Sequence, residues 1–248
     1  MVILARSGSQ RLVQKNFLQL KGLPLFEWTL RQALLHPNCG EVLFSSDSTE
    51  YLDHAKDVAN ELRLSDSLRL VKRDPRLASG SVSAREVIAQ FVETGLLVDG
   101  LVGLLFPTAP FRRRTTLQRM IERVESESTG AFSCADYRPS PALGLEIDPS
   151  CGRGWKPTAR PSPLFGRSVR SQDQKRVLHP SGTLQIGRCS TPEEVLRVWF
   201  SGSRAVPTSW PETVDIDVRD DLHYARYLAE NVGLRPEDPF IAEDLHGV

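Results

Sequence analysis

Cysteine is scarce in this sequence of 248 residues, and the four present, Cys39, Cys134, Cys151 and Cys189, form no C-x-x-C pair. That spacing argues against a zinc site or a redox dithiol, and a chain of this length needs no disulfide framework. Reduced, partly buried thiols are expected. Net charge is absent too: 31 basic residues cancel 31 acidic ones. There is then no global reason to expect nucleic acid, a membrane surface or a polyanion as partner. No apolar run approaches the roughly 20 residues of a membrane span. The apolar stretch Val2–Ala5 stops at Arg6, too soon for a signal sequence. A cytoplasmic protein with no membrane or nucleic-acid partner is the expectation.

The remaining composition is that of a globular protein with one substantial core. Short apolar runs alternate with helical spacing. Val2–Ala5, Val42–Ser45, Arg69–Val71, Leu101–Phe106, Gly130–Ala135, Thr183–Gly187 and Val214–Val218 read as strands. Leu25–Leu35, Thr49–Leu62, Val82–Thr94, Thr115–Glu127 and Asp220–Asn231 read as helices, and Thr191 with Pro192 reads as another helix start. The alternation predicts an α/β fold with a Rossmann-like, mostly parallel sheet and helices on both faces. Residues about 137–182, rich in Pro, Arg, Ser and Gly, interrupt the rhythm and read as an inserted arm. Residues 1–235 are expected to form one domain, followed by a loosely held tail over 236–248.

Several clusters carry chemistry. The loop after the first strand reads Ala5-Arg6-Ser7-Gly8-Ser9-Gln10-Arg11-Leu12, followed by Lys15-Asn16. Ligands of open α/β sheets bind beyond the C-terminal ends of strands, so the loop is well placed. Its small residues let backbone approach phosphate oxygens, and Arg6, Arg11 and Lys15 suit a triphosphate and a leaving pyrophosphate. It lacks the glycine and lysine spacing of a Walker A loop; a solvated basic turn is the plain alternative. Asp215 and Asp217, two apart in an apolar alternation, would share one side of a strand, a credible Mg²⁺ site. Phe106-Pro107-Thr108-Ala109-Pro110 ends the most apolar strand and would wall a pocket. Of Arg112, Arg113 and Arg114, at least two are expected in solvent, although cations at a helix N-terminus oppose its dipole. Asp47 is expected to cap the following loop or helix. Arg73 could read a pyrimidine edge or sit in a surface loop.

In their order these residues resemble the acylneuraminate cytidylyltransferases. The resemblance rests on Ala-Arg-Ser-Gly-Ser-x-Arg-Leu-x-x-Lys-Asn at 5–16, Gly22-x-Pro24-Leu25, Trp28, Ser46-Asp47, Arg73 with Leu77-Ala78, Pro107-Thr108-Ala109-Pro110-x-Arg112, and Val214-Asp215-Ile216-Asp217 with Asp221-Leu222. It implies a nucleotide-diphospho-sugar-transferase type of fold with a small dimerisation arm. It implies transfer of CMP from CTP to a sialic-acid-like sugar acid, whose anomeric hydroxyl attacks the α-phosphate as pyrophosphate leaves. Arg6, Arg11 and Lys15 would then stabilise the phosphates, and Ala5, Ser7, Gly8, Ser9, Asn16, Arg73 and Ser83 would hold the nucleotide. Asp215 and Asp217 would hold Mg²⁺ or Mn²⁺, and a homodimer would lend arm residues to the neighbouring sugar pocket. Phe106, Thr108, Arg170, Gln172 and Ser181 fall on the sugar side. There the sequence departs most: Phe106 replaces a Gln, Ser171 an Arg, Ser181-Gly182-Thr183 an Asn-Gly-Ala, and Gln185 a Tyr. On the nucleotide side Gln10 stands where a Lys is usual. A GT-A-like glycosyltransferase and an inactive nucleotide-binding relative are the alternatives.

Overall fold

The computed structural model describes residues 1–98, 100–127, 130–137, 141, 145–147, 155–157, 175–198 and 202–243. Strand β1 (Val2–Leu4) leads to a small hairpin of β2 (Gln19–Leu20) and β3 (Leu23–Pro24), then helix α1 (Leu25–Leu34). The alternation continues through β4 (Val42–Ser46), α2 (Thr49–Glu61), β5 (Leu68–Lys72), α3 (Ala84–Glu93), β6 (Gly100–Leu105), α4 (Arg114–Glu127) and β7 (Gly130–Asp136). A short antiparallel pair, β8 (Leu145–Ile147) and β9 (Trp155–Pro157), precedes β10 (Leu178–Cys189), α5 (Pro192–Val198), β11 (Arg204–Pro207) and α6 (Arg219–Ala229).

Seven strands form one sheet in the order β11-β7-β10-β6-β1-β4-β5. Of these seven, β10 alone runs antiparallel to its neighbours. The fold is therefore the mostly parallel α/β sheet that the alternation predicts. Successive strand residues face opposite layers. Ile3, Phe44 and Leu105 pack with α1, α2 and α4 on one face. Val2, Leu43 and Leu104 pack with α3 and Val195 of α5 on the other. Helix α1 is buried all round because a third cluster, including Trp28 and residues of α6, covers its outer side.

The parallel strands end along one edge, and three features there depart from the sequence reading. Val214–Val218 is not a strand. It has no ladder partner, and Ile216 instead donates its N–H to the Thr108 carbonyl at 2.8 Å. Val214 and Ile216 are buried, but Val218 is exposed, so the apolar alternation stops one residue early. Strand β10 starts at Leu178, five residues before the expected Thr183, and its register with β7 shifts between Pro180 and Gln185. Gly182, at φ +69°, lies in that irregularity, where a positive φ favours glycine. The residues after 234 are not loosely held as far as Glu243. Phe240 and Ile241 are buried, Gln32 donates to the Pro239 carbonyl at 2.7 Å, and Ile241 donates to the Arg112 carbonyl at 3.0 Å.

Candidate active site

The loop after β1 is fastened to the end of β4. Ala5 donates its N–H to the Ser45 carbonyl at 3.0 Å. Ser7 donates both its N–H and its hydroxyl to the Asp47 carboxylate, at 2.7 and 2.8 Å. Asp47 is thus a fastener for this loop and not the expected cap; Ser48 caps α2 by accepting from the Tyr51 N–H. Burial raises the Asp47 pKa, but the Ser7 hydrogen bonds and the Arg73 charge outweigh it and hold the carboxyl below its ordinary value. At the far end of the loop Asn16 is buried and donates to the Arg6 carbonyl at 2.9 Å. A short 3-10 turn over Lys15–Phe17 follows, anchored where Phe17 stacks on Tyr51 with ring centroids 5.0 Å apart. Gly8 is exposed, and a Cβ built on it would meet nothing within 4 Å.

That fastening opens the loop onto a cleft of about 600 Å³. Arg6, Ser9, Gln10, Arg11, Lys15 and Asn16 line one side. Phe106, Thr108, Asp215 and Asp217 line another, with Arg73 between α2 and α3 and an apolar wall of Leu77, Val82 and Val87. A larger cavity of about 820 Å³ lies beyond the ends of β7 and β11. Its acids are already engaged: Glu212 with Arg113, Asp136 with Arg176, and Glu243 with Thr115. Among the described residues the cationic loop and the paired aspartates meet in the smaller cleft, which makes it the candidate site.

Arg73 is buried, with Nη2 donating to the Ser45 carbonyl at 2.8 Å and Nε to the Ser45 hydroxyl at 3.2 Å. Burial pushes its pKa down to about 10, with Asp47 acting upward and Arg6 downward. It is still a cation at neutral pH. Asp215 is buried deeper than its neighbour. Burial raises its pKa against a hydrogen bond from the Thr108 side chain, and nearby Asp217 raises it further. Its Oδ1 is buried with no hydrogen-bond partner. Such an orphaned acceptor is costly unless something else satisfies it. Asp217 behaves oppositely. Burial acts upward, but Lys15 at 2.8 Å and Arg11 at 2.9 Å hold its pKa below the ordinary value. Among the described residues no group of three or more His, Cys, Asp or Glu side chains converges to hold a metal. The chemistry that fits two carboxylates and one orphaned oxygen is Mg²⁺, which takes one or two carboxylates and completes its shell with phosphate and water.

The other expected site residues are dispersed. Ser83 caps α3 in a capping box with Glu86, between Val82 and Ala84 of the cleft wall. Ser181 is buried and gives its hydroxyl to Ser133 at 2.8 Å. Arg170 and Gln172 lie outside the described residues. At least two of Arg112, Arg113 and Arg114 are expected in solvent from the sequence, yet Arg112 and Arg113 are both buried. Arg113 pairs with buried Glu212 at 2.8 Å. Arg112 donates to the Thr29 hydroxyl, the Gln32 amide oxygen and the carbonyls of Phe106 and Thr183. Three arginines against a helix dipole were the available signal for this; Gly182 was marked only as the glycine of the Asn-Gly-Ala stretch, and Glu212 had no signal in the sequence. Gly182 borders the site so closely that an added Cβ would sit 3.1 Å from Asp215 Oδ2.

A family model described as cytidylyltransferase matches residues 1–183. The chain belongs to the cytidylyltransferase family. Among its relatives is a Helicobacter pylori pseudaminic acid cytidylyltransferase fused to a UDP-sugar hydrolase, 24% identical over 95% of this chain and 42% of the relative. The CMP-N,N'-diacetyllegionaminic acid synthase of Legionella pneumophila is 30% identical over 56% of this chain and 59% of its own. The pseudaminic acid cytidylyltransferase of Campylobacter jejuni is 23% identical over 92% and 94%. The chain thus spans about half the length of the first two. Of solved cytidylyltransferase-type folds, a CMP:2-keto-3-deoxy-manno-octonic acid synthetase complexed with CTP superposes with a TM-score of 0.60, covering 92% of this chain and 97% of that one at 17% identity. Among the described residues no helix is long and apolar enough to cross a membrane.

Proposed function

We propose that this family member transfers the cytidylyl group of CTP to an acidic nonulosonic sugar and releases pyrophosphate. The observation that carries the reading is a single cleft in which Arg6, Arg11 and Lys15 face Asp215 and Asp217. The relatives named for pseudaminic and legionaminic acids support the choice of acceptor class.

Each side chain then has a task. Arg6, Arg11 and Lys15 bind the phosphates and take up the charge that builds on the departing pyrophosphate. Arg73, Asn16 and the Ala5–Ser9 backbone hold the nucleotide against the apolar wall, while Asp47 keeps the loop in place. The acceptor enters past Phe106 and Thr108, with its anomeric hydroxyl in line with the α-phosphate. Asp215 and Asp217 would hold Mg²⁺ or Mn²⁺, which when bound supplies Lewis-acid polarisation of the phosphoryl oxygens. The protein works in the cytoplasm as a homodimer in this reading. The dimer rests on the resemblance of residues about 137–182 to the family's arm.

The test is direct. The protein is incubated with CTP, Mg²⁺ and a panel of sugar acids, including neuraminic, legionaminic, pseudaminic and 2-keto-3-deoxy-octonic acids. Pyrophosphate release and a CMP-sugar product are followed together, and release with at least one acid is the expected result. CTP binding without release for any acid would make the chain an inactive relative. Transfer from a nucleotide sugar would make it a glycosyltransferase.

A further inference from the structure

Arg11 and Lys15, the two cations that pair with an aspartate of the cleft, both engage the same one. Lys15 Nζ lies 2.8 Å from Asp217 Oδ1, and Arg11 Nη1 lies 2.9 Å from Asp217 Oδ2. Both carboxylate oxygens of Asp217 are therefore capped by protein cations. Asp215 is treated differently: its Oδ1 has no partner at all. The same two cations are the ones a triphosphate needs. A divalent ion would meet two positive charges at Asp217, and a triphosphate would have to draw Lys15 and Arg11 away from a carboxylate.

We propose that Asp217 exchanges partners on nucleotide binding: Lys15 and Arg11 leave it for the phosphates, and only then is it free for the divalent ion. This rests on the cytidylyltransferase reading and adds a coupling to it. The cleft's own ion pairs neutralise these charges, so either component by itself has to compete with them. Filling one half lowers the cost of filling the other, and the coupling is reciprocal because both ligands act on the same ion pairs. The anchoring supports an exchange of side chains. Lys15 sits at the start of the 3-10 turn that Phe17 fixes against Tyr51, and Asp217 is fixed by its N–H to Asp221 at 2.8 Å. Only flexible side chains need move. Arg11 is 63% exposed and its Asp217 partner 37%, so that pair is weak enough to be traded. Lys15 is only 15% exposed and leaves only because the phosphates replace the carboxylate as its counter-charge.

The experiment measures each ligand without the other. Mn²⁺ binding is followed by electron paramagnetic resonance in nucleotide-free protein, for the wild type, Arg11→Gln and Lys15→Gln. CTP binding is followed by calorimetry in EDTA, for the wild type and Asp217→Asn. Arg11→Gln is expected to bind Mn²⁺ about fivefold more tightly than wild type, the worth of one partly exposed ion pair, and Lys15→Gln at least as much, because Lys15 is the less exposed cation. Asp217→Asn is expected to bind metal-free CTP about 25-fold more tightly, because it releases both cations at about fivefold each. A purely structural clamp would weaken CTP binding in that variant. Because Arg11 is so exposed, its substitution leaves the fold in place even where Lys15→Gln does not fold. Unchanged or weaker Mn²⁺ binding in the cation variants, together with no gain in CTP affinity for Asp217→Asn, overturns the exchange and leaves the transferase reading intact. Wild-type protein that binds no CTP with or without metal overturns the reading itself.

Discussion

Arg112 commits two of its guanidinium N–H groups to one acceptor, the carbonyl of Thr183, from Nε at 3.2 Å and Nη2 at 2.8 Å. Its remaining donors reach Thr29 and Gln32 of α1 and the Phe106 carbonyl. All five N–H groups are used, and none goes to a carboxylate. Burial pushes the guanidinium down to about 9, with Glu212 and Asp215 acting upward through space. One side chain thus joins the cleft wall at Phe106 to the irregular stretch of β10 that borders Asp215.

Lysine at this position cannot reproduce that fork. Arg112→Lys keeps a charge but has three donors for four buried acceptors, so at least one is abandoned and a loss of about 1–3 kcal/mol is expected. Urea unfolding at neutral pH measures it. An unchanged midpoint would show that the fork is dispensable.

Gly182→Ala asks an L-residue to hold φ +69° and to place a methyl 3.1 Å from Asp215 Oδ2. A destabilisation of about 1–2 kcal/mol is expected from the backbone conformation. Mn²⁺ affinity measured with CTP present should fall as well, because the carboxylate must shift. A loss of stability with unchanged metal affinity would separate the two effects.

Asp215→Asn is expected to uncouple stability from activity. Burial already disfavours the Asp215 charge, so neutralising it should stabilise the fold and raise the midpoint of thermal unfolding. Turnover of CTP should fall by on the order of 10²-fold, since an electrostatic group at the reacting phosphate is lost. Thermal unfolding and pyrophosphate release, run on the same sample, test both signs.

A further buried network lies away from the cleft. Glu27 accepts from Arg31 Nε at 2.7 Å and contacts His54 Nε2 at 2.6 Å, joining α1 to α2. Burial acts upward on Glu27, but the hydrogen bonds from His54 and Arg31 hold its pKa below the ordinary 4.5. A carboxylate depressed by folding contributes stability that is full above about that value. The contribution is lost as pH falls through the lowered folded value. Glu27→Gln should therefore cost about 2–3 kcal/mol at pH 7, less than an isolated buried pair because Arg31 keeps Glu61 at 2.7 Å. The cost should shrink below pH 4, as denaturation curves at the two pH values would show.

Much of this molecule is written in local pattern. Apolar runs such as Val2–Leu4 and Gly100–Leu105 carry no polar alternation, the mark of a strand covered on both faces, and both prove to be parallel strands inside the sheet. The helical spacing of Tyr51, Leu52, Ala55, Val58 and Ala59 marks the buried side of α2. The order of the cationic loop, Arg73, the Pro-Thr turn and the two aspartates was legible because most of them lie within a few residues of a strand end.

What the sequence could not supply is which charges meet. Asp217 and Lys15 are 202 residues apart, and only the fold brings the amine to the carboxylate. Alternation predicted a strand at Val214–Val218, yet a strand needs a neighbour with free backbone groups, and Thr108 supplies just one carbonyl there. At least two of Arg112, Arg113 and Arg114 read as solvated because arginine is rarely buried, and the acceptors that bury Arg112 and Arg113 lie on α1, β10 and the segment containing Glu212. The sequence determined the type of sheet, the family and the residues that could do chemistry. Tertiary structure decided which of them share a cleft and which hold its walls, because burial and ion pairing depend on partners that chain order does not specify.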